Sequence, residues 1–368
     1  MESSLYLKEI FNKCVFPAIK KKPDDYKNRL TGALLGRFAG CTLGVLVENY
    51  PIEKMRGIAK KTGTPFPPTE YWHEAENPDG IQYGVDKRTS FTLGHIDGVP
   101  VDDDITYTIL NMILLKRYGK NYTVDDVGEL WLEILPYACT AEECALNNLK
   151  NGICAEKAAE GNDFTEWIGA AIRADAFGYV YAGNPEAAAK LCACDAYLSH
   201  RKNGIYGEMF ASAAIAAGFI TTPVEAIKIG MECIPKDSAL YKDLKWAISY
   251  EDTLVDYAHA RKLLDERFPD MHCVHVQNNM CAVVFAIILG KGDYTKTISQ
   301  SVAMGMDNDC NAATVGSIVG ASVGIDGIPE RWYKPFNNKV RTYLKGYENL
   351  KLTDVIDDFV KLHEQFSK

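Results

Sequence analysis

The 368-residue sequence has no uninterrupted apolar run of membrane-spanning length. The best candidate, residues 32–47, is short and contains Arg37. Export is not expected, since the opening MESSLYLKEIFNKC carries charges where a signal peptide needs an apolar core. Positive charge is in deficit, with 40 Lys and Arg against 49 Asp and Glu. That net charge of −9 argues against nucleic acid or an anionic membrane as the main partner. The eleven cysteines include no CxxC pair. Without secretion they read as reduced thiols, mostly buried as small hydrophobes, and the cytoplasm is the expected location. Only Cys192-Ala-Cys194, by its close spacing, and Cys310, by its acidic neighbours, stand apart from the rest. No P-loop, no GxGxxG after a strand and no HExxH occurs. Clear strand alternation is also missing.

The helical period, by contrast, runs almost throughout. Apolar residues recur three and four apart over 127–135, 185–200, 206–220, 223–233, 253–264, 279–289 and 295–304. Thr123 opens an acidic first turn, Thr140 and Glu143 have capping-box spacing, and Asn184-Pro185 and Thr222-Pro223 place a cap before a proline. With 47% of its residues apolar the chain can bury a sizeable core. Residues 1–368 are read as one all-α, multi-helix domain. The exception is 49–101, rich in Pro, Gly and aromatics and read as a long irregular excursion. Connections of this length are often functional, and it is expected either to rim the pocket or to be a plain surface loop.

Two glycine ladders stand out: Gly32, Gly36, Gly40 and Gly44, then Gly316, Gly320 and Gly324. On a helix each lines one face. Glycine inside a helix costs about 0.5–1 kcal/mol relative to alanine, so the ladders need a reason, and close backbone approach is one. Antiparallel packing of the two would bring Glu48 beside Asp307 and Asp309. A Glu48–Asp309 separation far beyond ~10 Å would refute this arrangement.

Carboxylates cluster at two helix starts, Asp102-Asp103-Asp104 and Asp307-Asn308-Asp309. Either cluster alone reads as an N-cap with an acidic first turn. A cap needs one carboxylate, however, and crowded carboxylates raise one another's pKa unless a cation offsets them. A shared site for hard cations such as Mg²⁺ or Mn²⁺ is the alternative reading. His200, at a helix end, reads alone as a dipole-compensating residue. His272, Cys273 and His275 lack the partner spacing that would complete a zinc site.

In order along the chain, Gly32-Ala-Leu-Leu-Gly36…Gly40…Leu43-Gly44…Glu48, Asp102-Asp-Asp104-Ile-Thr-Tyr, the stretch 169–175 with Asp195 and 200–207, and Asp307-Asn-Asp309-Cys-Asn311-Ala-Ala running on to Ile328-Pro-Glu-Arg-Trp332 form one pattern. It resembles the ADP-ribosylglycohydrolase family, hydrolases that remove ADP-ribose from proteins or small acceptors. The resemblance implies an all-α fold with two Mg²⁺ or Mn²⁺ ions at the base of a cleft. It implies metal ligands at Asp102, Asp103, Asp104, Asp307 and Asp309, with Asp309 bridging and Cys310 at the next ligand position. Glu48, Asp103 and Asp309 would be catalytic. His200, Gly204, Gly169 and Asn311 would bind substrate, with His200 facing the diphosphate or distal ribose.

Four positions depart from the family's pattern. Asp102 and Ile105 replace threonines, Cys310 replaces a threonine or serine, and Cys41 replaces an aspartate. A thiol is a poor ligand for a hard ion. The implied reaction is hydrolysis at C1″ of an ADP-ribosyl group, with Glu48 managing a proton, in a protein expected to act as a monomer. The rival readings are a non-catalytic ADP-ribose binder and a metal-dependent phosphoester or diphosphate hydrolase. The acceptor, protein side chain or small molecule, stays open.

Overall fold

The helical periodicity is realised along nearly the whole chain in a computed structural model that describes residues 2–367. Helices occur at Val124–Ile134, Pro185–Tyr197, Asn203–Gly218, Pro223–Glu232, Tyr257–Arg267, Val276–Gly290 and Tyr294–Met304, within a few residues of expectation. Their starts follow local chemistry. Thr123 and Asp126 form a reciprocal capping box, and Asn184 and Thr222 accept from the backbone of the first turn ahead of Pro185 and Pro223. At Thr140 the structure differs. The Thr140–Lys150 helix begins on Thr140 itself, at φ 46°, and no side chain caps it. Glu142 turns into the interior while Glu143 stays outside.

Two helices form the centre of the fold. Tyr26–Gly44 and Asn308–Val323 pack antiparallel with their glycine faces together. A Cβ added at Gly36 would strike the Gly316 carbonyl, and one at Gly316 would strike that of Gly36. At the far end, a Cβ on Gly44 would meet the Asp309 backbone. The helical stretch from Tyr26 to Val47 is long and apolar enough to cross a membrane, which corrects the reading of 32–47 as too short; 94% of its apolar window is buried by the surrounding protein. Asn203–Gly218, Val276–Gly290 and Tyr294–Met304 enclose the pair. All eleven cysteines are unpaired; five are buried and four partly so.

The excursion is more regular than its composition suggests. Residues Ile52–Thr62 form a helix whose Met55 and Ala59 point inward, and Gly63 in the left-handed region ends it. A short antiparallel pair joins Ile81–Gln82 to Asp86–Lys87, and a second joins Lys339–Arg341 to Asn349–Lys351. A lone apolar stripe in a charged, Gly-containing segment is a weak helical signal, which is why the sequence conceals this helix. The fully buried Trp72 donates to the Leu43 carbonyl (2.9 Å) and Tyr71 to that of Trp332 (2.6 Å), so the excursion is anchored on the glycine helices and the chain that follows them.

Candidate functional site

Beyond Gly44 a 3-10 turn, Val45–Val47, leads to Glu48. The next residue, Asn49, is left-handed (φ 58°), and its N–H donates to the Met306 carbonyl (3.1 Å) and to Asn308 Oδ1 (3.2 Å). Met306, also left-handed at φ 67°, immediately precedes Asp307. This staple ties the end of one glycine helix to the start of the other. Ligand atoms of Glu48, Asp307 and Asp309 consequently lie within 4.8 Å of one another. The separation that would have refuted antiparallel packing is not found.

Two further triplets continue from the first, each sharing one member with the one before it. Asp309 groups with Asp104 and Cys310, and Asp104 with Asp102 and Cys41, each again within 4.8 Å. The Asp103–Tyr118 helix supplies this side. Asp102 occupies its N-cap and accepts from the Asp104 N–H (3.0 Å). Asp103 is partly exposed and accepts the Tyr83 hydroxyl (2.8 Å), so the excursion reaches the centre. Tyr83, Tyr137 and Tyr343 stack with centroids 4.6–6.1 Å apart. Trp167 stacks on the exposed His272 (4.4 Å).

Four of the carboxylates are almost completely buried, and each leaves one oxygen without a hydrogen-bond partner: Asp102 Oδ2, Asp104 Oδ2, Asp307 Oδ1 and Asp309 Oδ1. The capping reading holds for Asp102 but fails for the second cluster. Asp307 has the N-cap position of Asn308–Val323 without capping it. Burial and like charges push these groups upward. Asp104 rises to about 7, by burial first, with Arg37 pulling down and Asp103 and Asp307 pushing up. Glu48 rises to about 8, by burial and then by Asp307, Asp103 and Asp104. Asp102 and Asp309 are raised well above the ordinary range, chiefly by burial. Burial also lifts the Cys310 and Cys41 thiols well above their usual value, so both are neutral at pH 7. Buried unpaired carboxylate oxygens converging in this way fit a hard divalent cation, which would remove the repulsion. Cys310 lies within ligand reach, but a protonated thiol suits such an ion poorly.

Some of this architecture is not evident from the sequence. Arg37 is fully buried and pairs with Asp104 (2.8 Å) and Asp175 (2.7 Å), and its Nε donates to Thr108 (2.7 Å). An arginine inside an apolar glycine helix is the available signal, because a buried cation needs partners. A second buried network surrounds Arg173, which binds Glu142 (2.6 Å), Asp195 (2.7 Å) and Ser199 (3.1 Å).

His200 belongs to that second network. It is fully enclosed, with Nδ1 on Ser199 Oγ (2.8 Å), and burial with the nearby Arg173 and Arg201 keeps it uncharged. Gly204 packs against the His200 ring and Thr165, and Gly169 against the Glu142 carboxylate. Asn311 is buried and donates to Asn279 (2.8 Å). The structure thus brings Glu48, Asp102, Asp103, Asp104, Asp307, Asp309 and Cys310 together. It leaves His200, Gly204, Gly169 and Asn311 inside the packing, with no side chain open to solvent. His272 and His275 belong to no metal-compatible group among the described residues.

A family model described as ADP-ribosylglycohydrolase matches residues 22–366. The chain belongs to the ADP-ribosylglycohydrolase family. Among solved structures it is similar to one described as an ADP-ribosylglycohydrolase-related protein complex, with a TM-score of 0.58, 17% identity, and coverage of 94% of this chain and 99% of that one. At that identity the likeness is one of fold. No curated protein matches. Membership in the ADP-ribosylglycohydrolase family supports a glycohydrolase-type function on ADP-ribosylated substrates. The family is generally metal-dependent, and the acidic triplets could hold the ions.

Proposed function

We propose that the protein hydrolyses the glycosidic bond at ribose C1″ of an ADP-ribosylated side chain or small acceptor, releasing ADP-ribose, with two Mg²⁺ or Mn²⁺ ions. The observation that carries this reading is the run of overlapping carboxylate triplets sharing Asp104 and Asp309, with unpartnered buried oxygens. Asp102, Asp104 and Asp309 would hold one ion, and Glu48, Asp307 and Asp309 the other. Bound divalent ions supply the charge that neutralises the carboxylates and orients ribose hydroxyls and water.

The chain's own groups do the rest. Asp103, held by the Tyr83 hydroxyl and the Asp104 N–H (3.1 Å), presents a partly exposed carboxylate toward the sugar. Cleavage develops oxocarbenium character at C1″, which nearby carboxylates stabilise electrostatically. Glu48 is partly exposed and protonates in the neutral range, so it is placed to give or take the proton at the scissile bond. Tyr83, Tyr137 and Tyr343 wall the Asp103 side, where the acceptor is expected to lie.

The test is a panel of ADP-ribosylated proteins and small conjugates assayed with and without EDTA, scoring free ADP-ribose. Asp309→Ala is expected to abolish both Mn²⁺ binding and ADP-ribose release. Full activity in that variant would reject the scheme. Release of AMP or phosphate in place of intact ADP-ribose would move the assignment to a diphosphate or phosphoester hydrolase.

A further inference from the structure

A second cavity, of about 710 Å³, shares no lining residue with the acidic centre. It lies where residues 20–23, the loop ahead of the Pro185–Tyr197 helix and the C-terminal Leu352–Phe366 helix meet. His363 on its wall stacks on Tyr26 (3.9 Å), the first residue of the helix whose other end leads to Glu48. At 1.5 Å per residue, the cavity is roughly 30 Å from the acidic centre.

Its lining is cationic in a protein that is acidic overall. Lys20, Lys21, Lys22 and Lys120 contribute to it, against a single acid, Glu364. Among the described residues none of these four ammonium groups has an ion-pair or hydrogen-bond partner, although many other lysines of the chain do, as in Lys27–Asp357 and Lys190–Glu186. The backbone that carries three of them is fixed. The Lys21 N–H donates to the Gly183 carbonyl (2.9 Å), and the Gly183 N–H donates to that of Ala216 (2.8 Å). Gly183 is at φ 78°, and a Cβ there would collide with the Lys21 carbonyl, so the two loops meet backbone to backbone. Asn184, which caps the 13-residue Pro185–Tyr197 helix, and Ala187 also line the cavity. Tyr181 and Phe366, in edge contact at 5.5 Å, give the same cavity an aromatic wall. Its volume is that of an ordinary small-molecule site.

We infer that this cavity binds a small diphosphate-bearing nucleotide, the four lysines taking the phosphates and Tyr181 the base. The lysines act as point charges on phosphate oxygens, and the planar ring offers a stacking face. Local potential rather than net charge decides such binding. The site is independent of the hydrolysis proposed above, and it is tested where the acidic centre is disabled.

The experiment is calorimetric titration of ADP into full-length Asp309→Ala protein in EDTA, with the unmutated chain in parallel. One ADP is expected to bind in both. Lys22→Glu with Lys120→Glu is expected to weaken binding roughly tenfold or more, and so is raising ionic strength well above 0.15 M. Both lysines are exposed, so thermal melting of the double variant should be unchanged. Inorganic pyrophosphate should compete, and Tyr181→Ala should weaken ADP but not pyrophosphate. Absence of ADP binding, or ADP binding indifferent to the lysine reversals, overturns the inference. Tighter binding of an oligonucleotide or of phosphatidylserine vesicles than of ADP does so too.

Discussion

Arg37 shows how much one side chain contributes to the acidic centre. Its guanidinium is the fixed positive charge between Asp104 and Asp175, and removing it leaves two buried carboxylates uncompensated. Arg37→Met is expected to cost about 3–5 kcal/mol in urea unfolding, and a loss under about 1 kcal/mol would show that the pair contributes little. On the proposed function, protons and metal would compete for the same carboxylates. Asp104 and Glu48 hold protons up to about 7 and 8, so Mn²⁺ must displace them, and its apparent affinity is expected to rise with pH through that window. Calorimetry in two buffers of different ionisation enthalpy counts the protons released; a pH-independent affinity would contradict the assignment. The aspartates are legible in the sequence because they stand in runs. Arg37, Glu142 and Tyr83 are not, because each acquires its meaning from partners 20 to 138 residues away in the chain.

At the scale of elements, the glycine ladders are the clearest case of sequence pattern becoming geometry. Spacing alone implies two backbones in contact, and Gly36 against Gly316 is that contact. Gly316→Ala is expected to destabilise by about 1–3 kcal/mol and, by separating the helices, to weaken Mn²⁺ binding as well. Gly57, with open space around it on the exposed side of Ile52–Thr62, is the control. Gly57→Ala should stabilise by about 0.5–1 kcal/mol, so equal effects on melting at the two positions would overturn the packing argument. Helix starts are legible wherever a cap side chain bonds locally, as at Thr123, Asn184 and Thr222. At Thr140 tertiary demand prevails, since Glu142 is drawn to Arg173 and the capping box is lost. The helix in the excursion escapes a sequence reading because only a narrow stripe of it faces the core.

For the whole molecule, the all-α class follows from periodicity, whereas the lysine-lined cavity does not, because its walls come from distant parts of the chain. The crowded carboxylates also set a pH dependence of stability. Groups such as Asp104 and Glu48, whose folded pKa exceeds their ordinary values near 4, keep their full contribution at pH 4 and lose it as pH rises through 7 to 8. The metal-free protein is therefore expected to melt lower at pH 8 than at pH 5, and Mn²⁺ should narrow that gap by binding only the native state; melting curves in EDTA and in Mn²⁺ at both values check this. The staple from Asn49 to Asn308 spans 259 residues, which gives the acidic centre a place in time as well as in space. At about 5–20 residues per second, roughly 13–50 s of synthesis separate its first carboxylate from its last. On the proposed function, a nascent chain cannot load an ion until the second glycine helix has emerged and docked, so metal capture would mark the completion of folding rather than its beginning.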